Sequence, residues 1–211
     1  MTWNAVVERW TNEAMLYVPE LPGFFSKEPN VAQAFAVASD TIDSYLKWLE
    51  SEEIAADLPK GEAIVIVQEL PGADGKGPIF DLDREPLDED QFEAALTVGR
   101  VTLSDLLYSA DVAFDDHETE VRRMLRHVAE LDRWYAMRLK PGLMSPIDDL
   151  ESDVIESASF FEETVDAIFS EQASLARTLA GEEWTLPKVL RRRTVHLREH
   201  LFDLLALPSD E

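Results

Sequence analysis

The spacing of apolar residues changes once along this chain, and that change limits the fold more than any other feature. Up to about residue 72, short runs rich in Val, Ile, Trp and Tyr alternate with turn residues and enclose one helical stretch. From residue 87 onward the apolar residues recur every three or four positions, which is the period of amphipathic helices. The sequence therefore predicts an α+β protein of two domains, the second of them all helical.

The first domain is predicted to have the element order β-β-α-β. Residues 3–9 and 13–18 have the composition of two strands, and Asn30 is placed to cap a helix that ends near residue 49. Residues 63–67 are a β-branched run typical of a strand that is buried on both faces. A further strand is expected near Phe24.

Residues 16–23 read Leu-Tyr-Val-Pro-Glu-Leu-Pro-Gly and are followed by an alanine-rich helix start. This segment resembles the corresponding turn of HicB-like domains, and the resemblance covers roughly the first 70 residues. In antitoxins of that family, the protein binds a small toxin and represses an operon. The resemblance implies a protein partner for domain 1–72, and a docking or dimerisation module without an active site is the alternative. Residues 73–86 are rich in Gly, Pro and Asp and are predicted to be a polar linker.

The second domain, residues 87–211, is predicted to be an up-and-down four-helix bundle. Asp88 and Asp115 each begin a capping box, Gly181 stops the third helix, and Thr185 is a candidate cap for the fourth. The expected helices cover about residues 88–113, 115–139, 152–180 and 185–207.

Three histidines of this domain form a candidate metal site. His196 and His200 are four residues apart, so both imidazoles leave the same face of the fourth helix. His127 on the second helix is in line with Met124 and Leu131 and is therefore expected to point inward. Three imidazole nitrogens would leave a position on a divalent metal open for water or substrate. Core imidazoles satisfied by other partners are the alternative.

Two segments around these histidines, residues 125–135 (LRHVAELDRWY) and 189–200 (VLRRRTVHLREH), resemble the DinB-like, or YfiT-like, bundle superfamily. In that superfamily, one histidine of helix two and an H-x-x-x-H pair of helix four bind a nickel or zinc-type ion. The matching positions are His127, His196 and His200. Characterised members activate low-molecular-weight thiols such as mycothiol or bacillithiol for transfer or isomerisation.

The DinB resemblance implies a metal-dependent thiol transferase or isomerase and a homodimer. No catalytic general base can be named from the sequence. The alternative is an interaction protein without catalysis, in which the HicB-like domain contacts a protein partner and the bundle is structural.

The side chains near the histidines have two interpretations each. The nearby acids either orient the ligand imidazoles or are solvated, and solvation is expected. Trp134 and Tyr135 are expected to pack in the core, and His117 to lie on the surface. Residues 191–193 are three arginines, which are expected to pair with acids on a solvated face; the alternative is that they hold the carboxylate of a thiol cosubstrate. The nearby acids are Glu130, Asp132, Glu199 and Asp203.

The charge of the chain excludes several classes of partner. With 43 acidic and 19 basic residues, its formal net charge is -24. Such a surface repels phosphate backbones and anionic lipids, so neither nucleic acid nor membrane is expected as a partner. The chain has no cysteine, which fits the reducing cytoplasm that we expect as its compartment.

Overall fold

A computed structural model describes residues 2–54, 63–73, 76–172 and 174–208, and the α+β class is confirmed. The first part of the chain forms a four-stranded sheet with the order β3-β2-β1-β4, in which only β1 and β4 are parallel. The helix between β3 and β4 is α1 (Val31–Ser51). The strands are β1 (Thr2–Arg9), β2 (Ala14–Tyr17), β3 (Phe25–Glu28) and β4 (Ala63–Pro71).

The additional strand expected near Phe24 is β3, which pairs with β2 at the edge of the sheet. The expectation that residues 63–67 are buried on both faces is wrong. Burial alternates along β4: Val65 and Val67 lie on one face and are 45% and 51% exposed, whereas Ile64 lies on the other face and is buried with residues of α1. Asn30 caps α1 as expected, since its side chain accepts a hydrogen bond from the Gln33 N–H.

The second helix, α2 (Glu89–Leu139), is folded back on itself at His117, which has non-helical backbone angles. Straight, it would separate Phe92 from Leu139 by about 70 Å, yet these two side chains belong to one buried cluster. We call residues 89–116 and 118–139 its first and second arms. The predicted cap at Asp88 is confirmed with a complete capping box, whereas the second helix was expected to begin at Asp115 and begins after His117.

The third helix, α3 (Leu150–Gln172), ends eight residues before the predicted stop at residue 180. A hairpin of β5 (Ala176–Leu179) and β6 (Glu182–Thr185) follows, and the sequence did not indicate it. Its turn is Ala180-Gly181, and both residues have positive φ, as a type I′ hairpin turn requires. Thr185 caps α4 (Leu186–Leu205) as predicted.

The helices do not alternate in direction, so the prediction of an up-and-down bundle is wrong. Val154 near the start of α3 packs in one cluster with Leu125, and Ile168 near its end packs in another with Leu139. The second arm of α2 and α3 therefore run in the same direction, and α4 runs against both. This is possible because the ten-residue connection 140–149, whose first residue Lys140 is extended, is long enough to span up to about 35 Å back along the helices.

The segment predicted to be a polar linker contains residues that are fully buried. Phe80 packs between the sheet and Val195 of α4. Asp83, in a short 3₁₀ helix (Leu82–Arg84), is 3% exposed. This segment therefore joins the sheet to the helices through packing as well as through the chain. In the part of the chain that the structure describes, no helix has the length and apolar character that a membrane crossing demands.

Candidate metal centre

The structure brings the three predicted histidines together at the contact between α4 and the second arm of α2. The ring centroids of His127 and His200 are 5.0 Å apart, with planes at 84°. The centroids of His196 and His200 are 6.1 Å apart, with nearly parallel planes. The three imidazoles are thus neighbours, although His127 and His196 are 69 residues apart in sequence.

The expectation that His127 points into the core is wrong. His127 is exposed, whereas its helical neighbours Val128 and Leu125 are buried. His196 and His200 are more enclosed, with 32% and 17% of their side chains exposed. The cluster therefore has a buried side on α4 and an open side at His127.

One ring nitrogen of His196 is hydrogen-bonded to a tyrosine. The Tyr135 hydroxyl lies 2.5 Å from His196 Nδ1, and burial raises the pKa of Tyr135 to about 12. If Nδ1 carries the proton and donates to Tyr135, Nε2 of His196 is left with a free lone pair, which is the arrangement that metal-binding histidines use. Tyr135 is 1% exposed, as expected for a residue that packs in the core.

His200 has two buried ring nitrogens and no hydrogen-bond partner for either within the described ranges. Its nearest acid is Asp203, with Oδ2 3.4 Å from Nδ1, and that side chain is 67% exposed. Buried polar atoms without a partner are rare in folded proteins, so this imidazole is the strongest candidate in the cluster for a ligand-binding group.

Both imidazoles of α4 are electrically neutral near neutral pH. Burial, followed by the neighbouring Arg192 and the other two histidines, lowers the pKa of His196 to about 3. Burial, followed by the neighbouring His127, also lowers the pKa of His200. A neutral imidazole is the form that binds a metal ion.

One of the two ring separations fits a shared ion, whereas the 6.1 Å between His196 and His200 is longer than that geometry needs. With nitrogen to metal distances of about 2.0–2.1 Å, two imidazole centroids at a tetrahedral angle are about 5.2 Å apart, close to the 5.0 Å between His127 and His200. Within residues 2–54, 63–73, 76–172 and 174–208, however, no three His, Asp or Glu side chains already form a group that holds a metal. The imidazoles would therefore have to turn about their side-chain bonds to converge.

A cavity of about 190 Å³ lies beside His196, between α4 and the sheet. Its walls carry charges of both signs: Lys27 and Arg192 are basic, and Glu8, Glu13 and Glu199 are acidic. The N-terminal sheet thus supplies one wall of the histidine site. Sequence reasoning missed this wall, because residues 8–27 and α4 are about 170 residues apart and no local pattern links them.

The three arginines of α4 pair with acids, but the expectation of a solvated face is wrong. Their partners lie on the 3₁₀ helix, on β1 and on α2, and the pairs with Asp83 and Asp132 are bidentate with both partners buried. Arg192 pairs more loosely with Glu8 at 3.3 Å. The bidentate bonds join Arg191 to Asp83, at 2.9 and 2.7 Å, and Arg193 to Asp132, at 2.8 and 2.9 Å.

All four acids near the histidines were expected to be solvated, but their surroundings differ and the expectation is wrong for some of them. Asp132 is buried against Arg193, and Glu130 is exposed. Glu199 accepts a hydrogen bond from Lys27 at 3.0 Å and lies 3.9 Å from His196 Nε2. Burial raises the pKa of its carboxyl. Glu199 and Asp203 are thus the two acids next to the α4 imidazoles.

No family model, curated protein or solved structure matches this chain. The geometry of the site therefore carries the functional argument.

Proposed function

We propose that this protein binds one divalent metal ion through His127, His196 and His200. The observation that carries the proposal is the imidazole of His200, which lies between two further histidine rings: its buried Nε2 has no partner in the described structure, and its Nδ1 has only the long contact of 3.4 Å with the exposed Asp203. Nickel or zinc is the proposed ion, since imidazole suits both and the chain has no thiolate to offer. We further propose that residues 87–211 are a DinB-like bundle and residues 1–72 a HicB-like domain.

The proposed reaction is the transfer or isomerisation of a low-molecular-weight thiol of the mycothiol or bacillithiol type. A divalent ion at this site would lower the pKa of a thiol or water molecule that binds to it. Tyr135 would hold His196 in the tautomer that ligates through Nε2. Lys27 of β3 and Arg192 of α4 both line the 190 Å³ cavity, where a carboxylate of the thiol would compete with their present partners Glu199 and Glu8.

One observation supports a second function, that of an interaction protein. In the described part of the chain β4 is an edge strand, Val65 and Val67 on one of its faces are exposed, and such an edge is suited to adding a strand from a protein partner. In that function the histidines would be structural. Homodimerisation is compatible with both functions and stays a prediction.

Elemental analysis of the purified full chain, free of any histidine tag, separates the two functions. We expect about one equivalent of nickel or zinc in the wild-type protein and none in the His196→Ala/His200→Ala variant. The matched control is His117→Ala, which also removes a histidine but whose side chain contacts Pro208 instead of the cluster. Circular dichroism of all three proteins establishes that they are folded.

A wild-type protein that takes up no metal after incubation with nickel or zinc would overturn the metal proposal. Metal in the His196→Ala/His200→Ala variant would place the ion elsewhere. With metal confirmed, loss of thiol transfer in Lys27→Met at unchanged metal content would support the assignment of the cavity.

A further inference from the structure

A carboxylate of α4 lies beside the histidines on the side that faces the sheet. Glu199 follows His196 by three residues, and both side chains line the cavity of about 190 Å³. Glu199 Oε2 lies 3.9 Å from His196 Nε2, and the two side chains are 18% and 32% exposed. In the described structure neither atom has a hydrogen-bond partner, and neither is fully buried. Both atoms are therefore accessible to an ion that enters the cavity.

Two hydrogen bonds fix which atoms face each other across this gap. Lys27 of β3 donates to Glu199 Oε1 at 3.0 Å, so Oε2 is the carboxylate oxygen that is left free. The Tyr135 hydroxyl is bonded to His196 Nδ1, so Nε2 is the ring nitrogen that is left free. In the tautomer that ligates through Nε2, both free atoms are acceptors. Two acceptors cannot bond to each other, whereas a cation between them satisfies both.

The width of the gap suits a shared ion better than a hydrogen bond. A hydrogen bond between nitrogen and oxygen is about 2.7–3.2 Å long. With usual metal distances to nitrogen and oxygen, two ligand atoms at a tetrahedral angle are about 3.4 Å apart. The observed 3.9 Å exceeds that separation by about 0.5 Å, which a small rotation about the side-chain bonds of Glu199 removes.

We propose that Glu199 is a fourth ligand of the divalent ion, in addition to His127, His196 and His200. This inference rests on the proposed metal site and extends it by one oxygen. Lys27 would orient the carboxylate, as hydrogen-bonded neighbours of metal ligands do. Through Lys27, the N-terminal sheet then takes part in metal binding. A thiol still finds a position, because catalytic zinc sites expand to five ligands.

Competition with a chromophoric chelator measures the zinc affinity of the full chain after its own metal is removed. Glu199→Gln should weaken zinc binding about 10-fold or more, since a neutral amide of the same shape replaces a charged ligand. The matched control is Glu13→Gln, which removes the same charge from the same cavity at a carboxylate 3.5 Å from Lys27. It should change the affinity by less than about 3-fold, because a charge that does not touch the ion is screened. Equal weakening in both variants would overturn the inference.

The visible spectrum of the cobalt-loaded protein reports ligation directly, because the absorption of Co²⁺ depends on the number and geometry of its ligands. Glu199→Gln should change this spectrum and Glu13→Gln should not. Glu199→Asp keeps the charge but shortens the side chain, so it decides the matter if Glu199→Gln does not fold: its zinc affinity should fall and its cobalt spectrum should change. A wild-type spectrum in a folded Glu199 variant would refute the fourth ligand.

The outcomes separate this inference from the metal proposal. A wild-type protein that binds no zinc overturns both. Equal zinc affinity of the wild type and Glu199→Gln, together with loss of zinc in His196→Ala/His200→Ala, overturns the fourth ligand alone and leaves the three-histidine site in place.

Discussion

Residues 191–193 show how neighbouring side chains of one helix serve three different contacts. Successive residues of a helix point about 100° apart. Arg191 consequently meets Asp83, Arg192 meets Glu8 on β1, and Arg193 meets Asp132 on α2. The run of positive charge that suggests a solvated or ligand-binding patch in the sequence is thus divided among three surfaces of the molecule.

Removing one partner of the Arg193 pair should be costly. Arg193→Met leaves the Asp132 carboxylate buried without a counter-ion, and we expect the free energy of unfolding to fall by about 3–5 kcal/mol. Urea unfolding followed by circular dichroism measures this. The control is Arg122→Met, which breaks an exposed pair with Glu118 and should cost less than about 1 kcal/mol. Equal losses in both variants would contradict the argument.

Acid should destabilise the protein through His196. Because burial lowers its pKa to about 3 in the folded state, the unfolded chain binds the proton first. Stability should therefore fall as the pH drops below the unfolded value of about 6.5, by about 1 kcal/mol per pH unit from this group. In EDTA, His196→Gln should reduce the slope of the unfolding free energy between pH 6.5 and 4. An unchanged slope, or the same reduction in His117→Gln, would count against this origin.

At the scale of helices and strands, features that depend on local sequence were predicted correctly, whereas the direction of a helix, which depends on packing, was not. The caps at Asn30, Asp88 and Thr185 could be predicted, because capping depends on side chains within three residues of the helix start. The direction of α3 could not, since a ten-residue connection permits both directions and only packing decides between them. The hairpin after α3 was missed because its apolar residues also fit a helical period.

For the histidine site, too, the local spacing could be predicted from the sequence, whereas the tertiary contacts could not. Spacing on α4 placed His196 and His200 on one face, and the structure agrees. The exposure of His127 depends on how the second arm of α2 is rotated against α4, which helical periodicity alone does not determine. The wall that the sheet contributes needed the tertiary fold.

The hairpin turn offers a test at this scale. Gly181 has φ of 78°, and a Cβ there would meet nothing closer than the Lys76 ammonium at 3.5 Å. Gly181→Ala should therefore cost only the backbone strain of a left-handed residue, about 1 kcal/mol. Thermal unfolding measures it against Gly142→Ala, a position without positive φ and with a similarly mild contact to Phe160. A larger loss of stability in Gly142→Ala would show that left-handed backbone strain is not the main cost at Gly181.

In the whole molecule, the sheet and the helices share buried residues. Phe80 is fully buried between Tyr17 of β2 and Val195 of α4, and the Asp83–Arg191 pair lies beside them. A unit joined in this way should unfold in one step, even though its two parts differ in secondary structure.

Phe80→Ala tests this coupling. The cavity should lower the free energy of unfolding by about 3–4 kcal/mol, and tryptophan fluorescence and far-ultraviolet circular dichroism should report the same shifted midpoint. Leu143→Ala, at a side chain that is 94% exposed, should leave the midpoint in place. Two separate transitions in Phe80→Ala would instead show that the sheet and the helices unfold independently.

The parallel pairing of β1 with β4 and the contact of Glu8 with Arg192 have a consequence for biosynthesis. β1 is translated first, but one neighbour in its sheet is made some 60 residues later, and the arginine that meets Glu8 is 184 residues away. Because chains emerge from the ribosome in order, the first strand can pair with β2 early, but it must wait for β4 and, through most of translation, for Arg192. Its apolar residues are therefore a segment for which a ribosome-associated chaperone has time to compete.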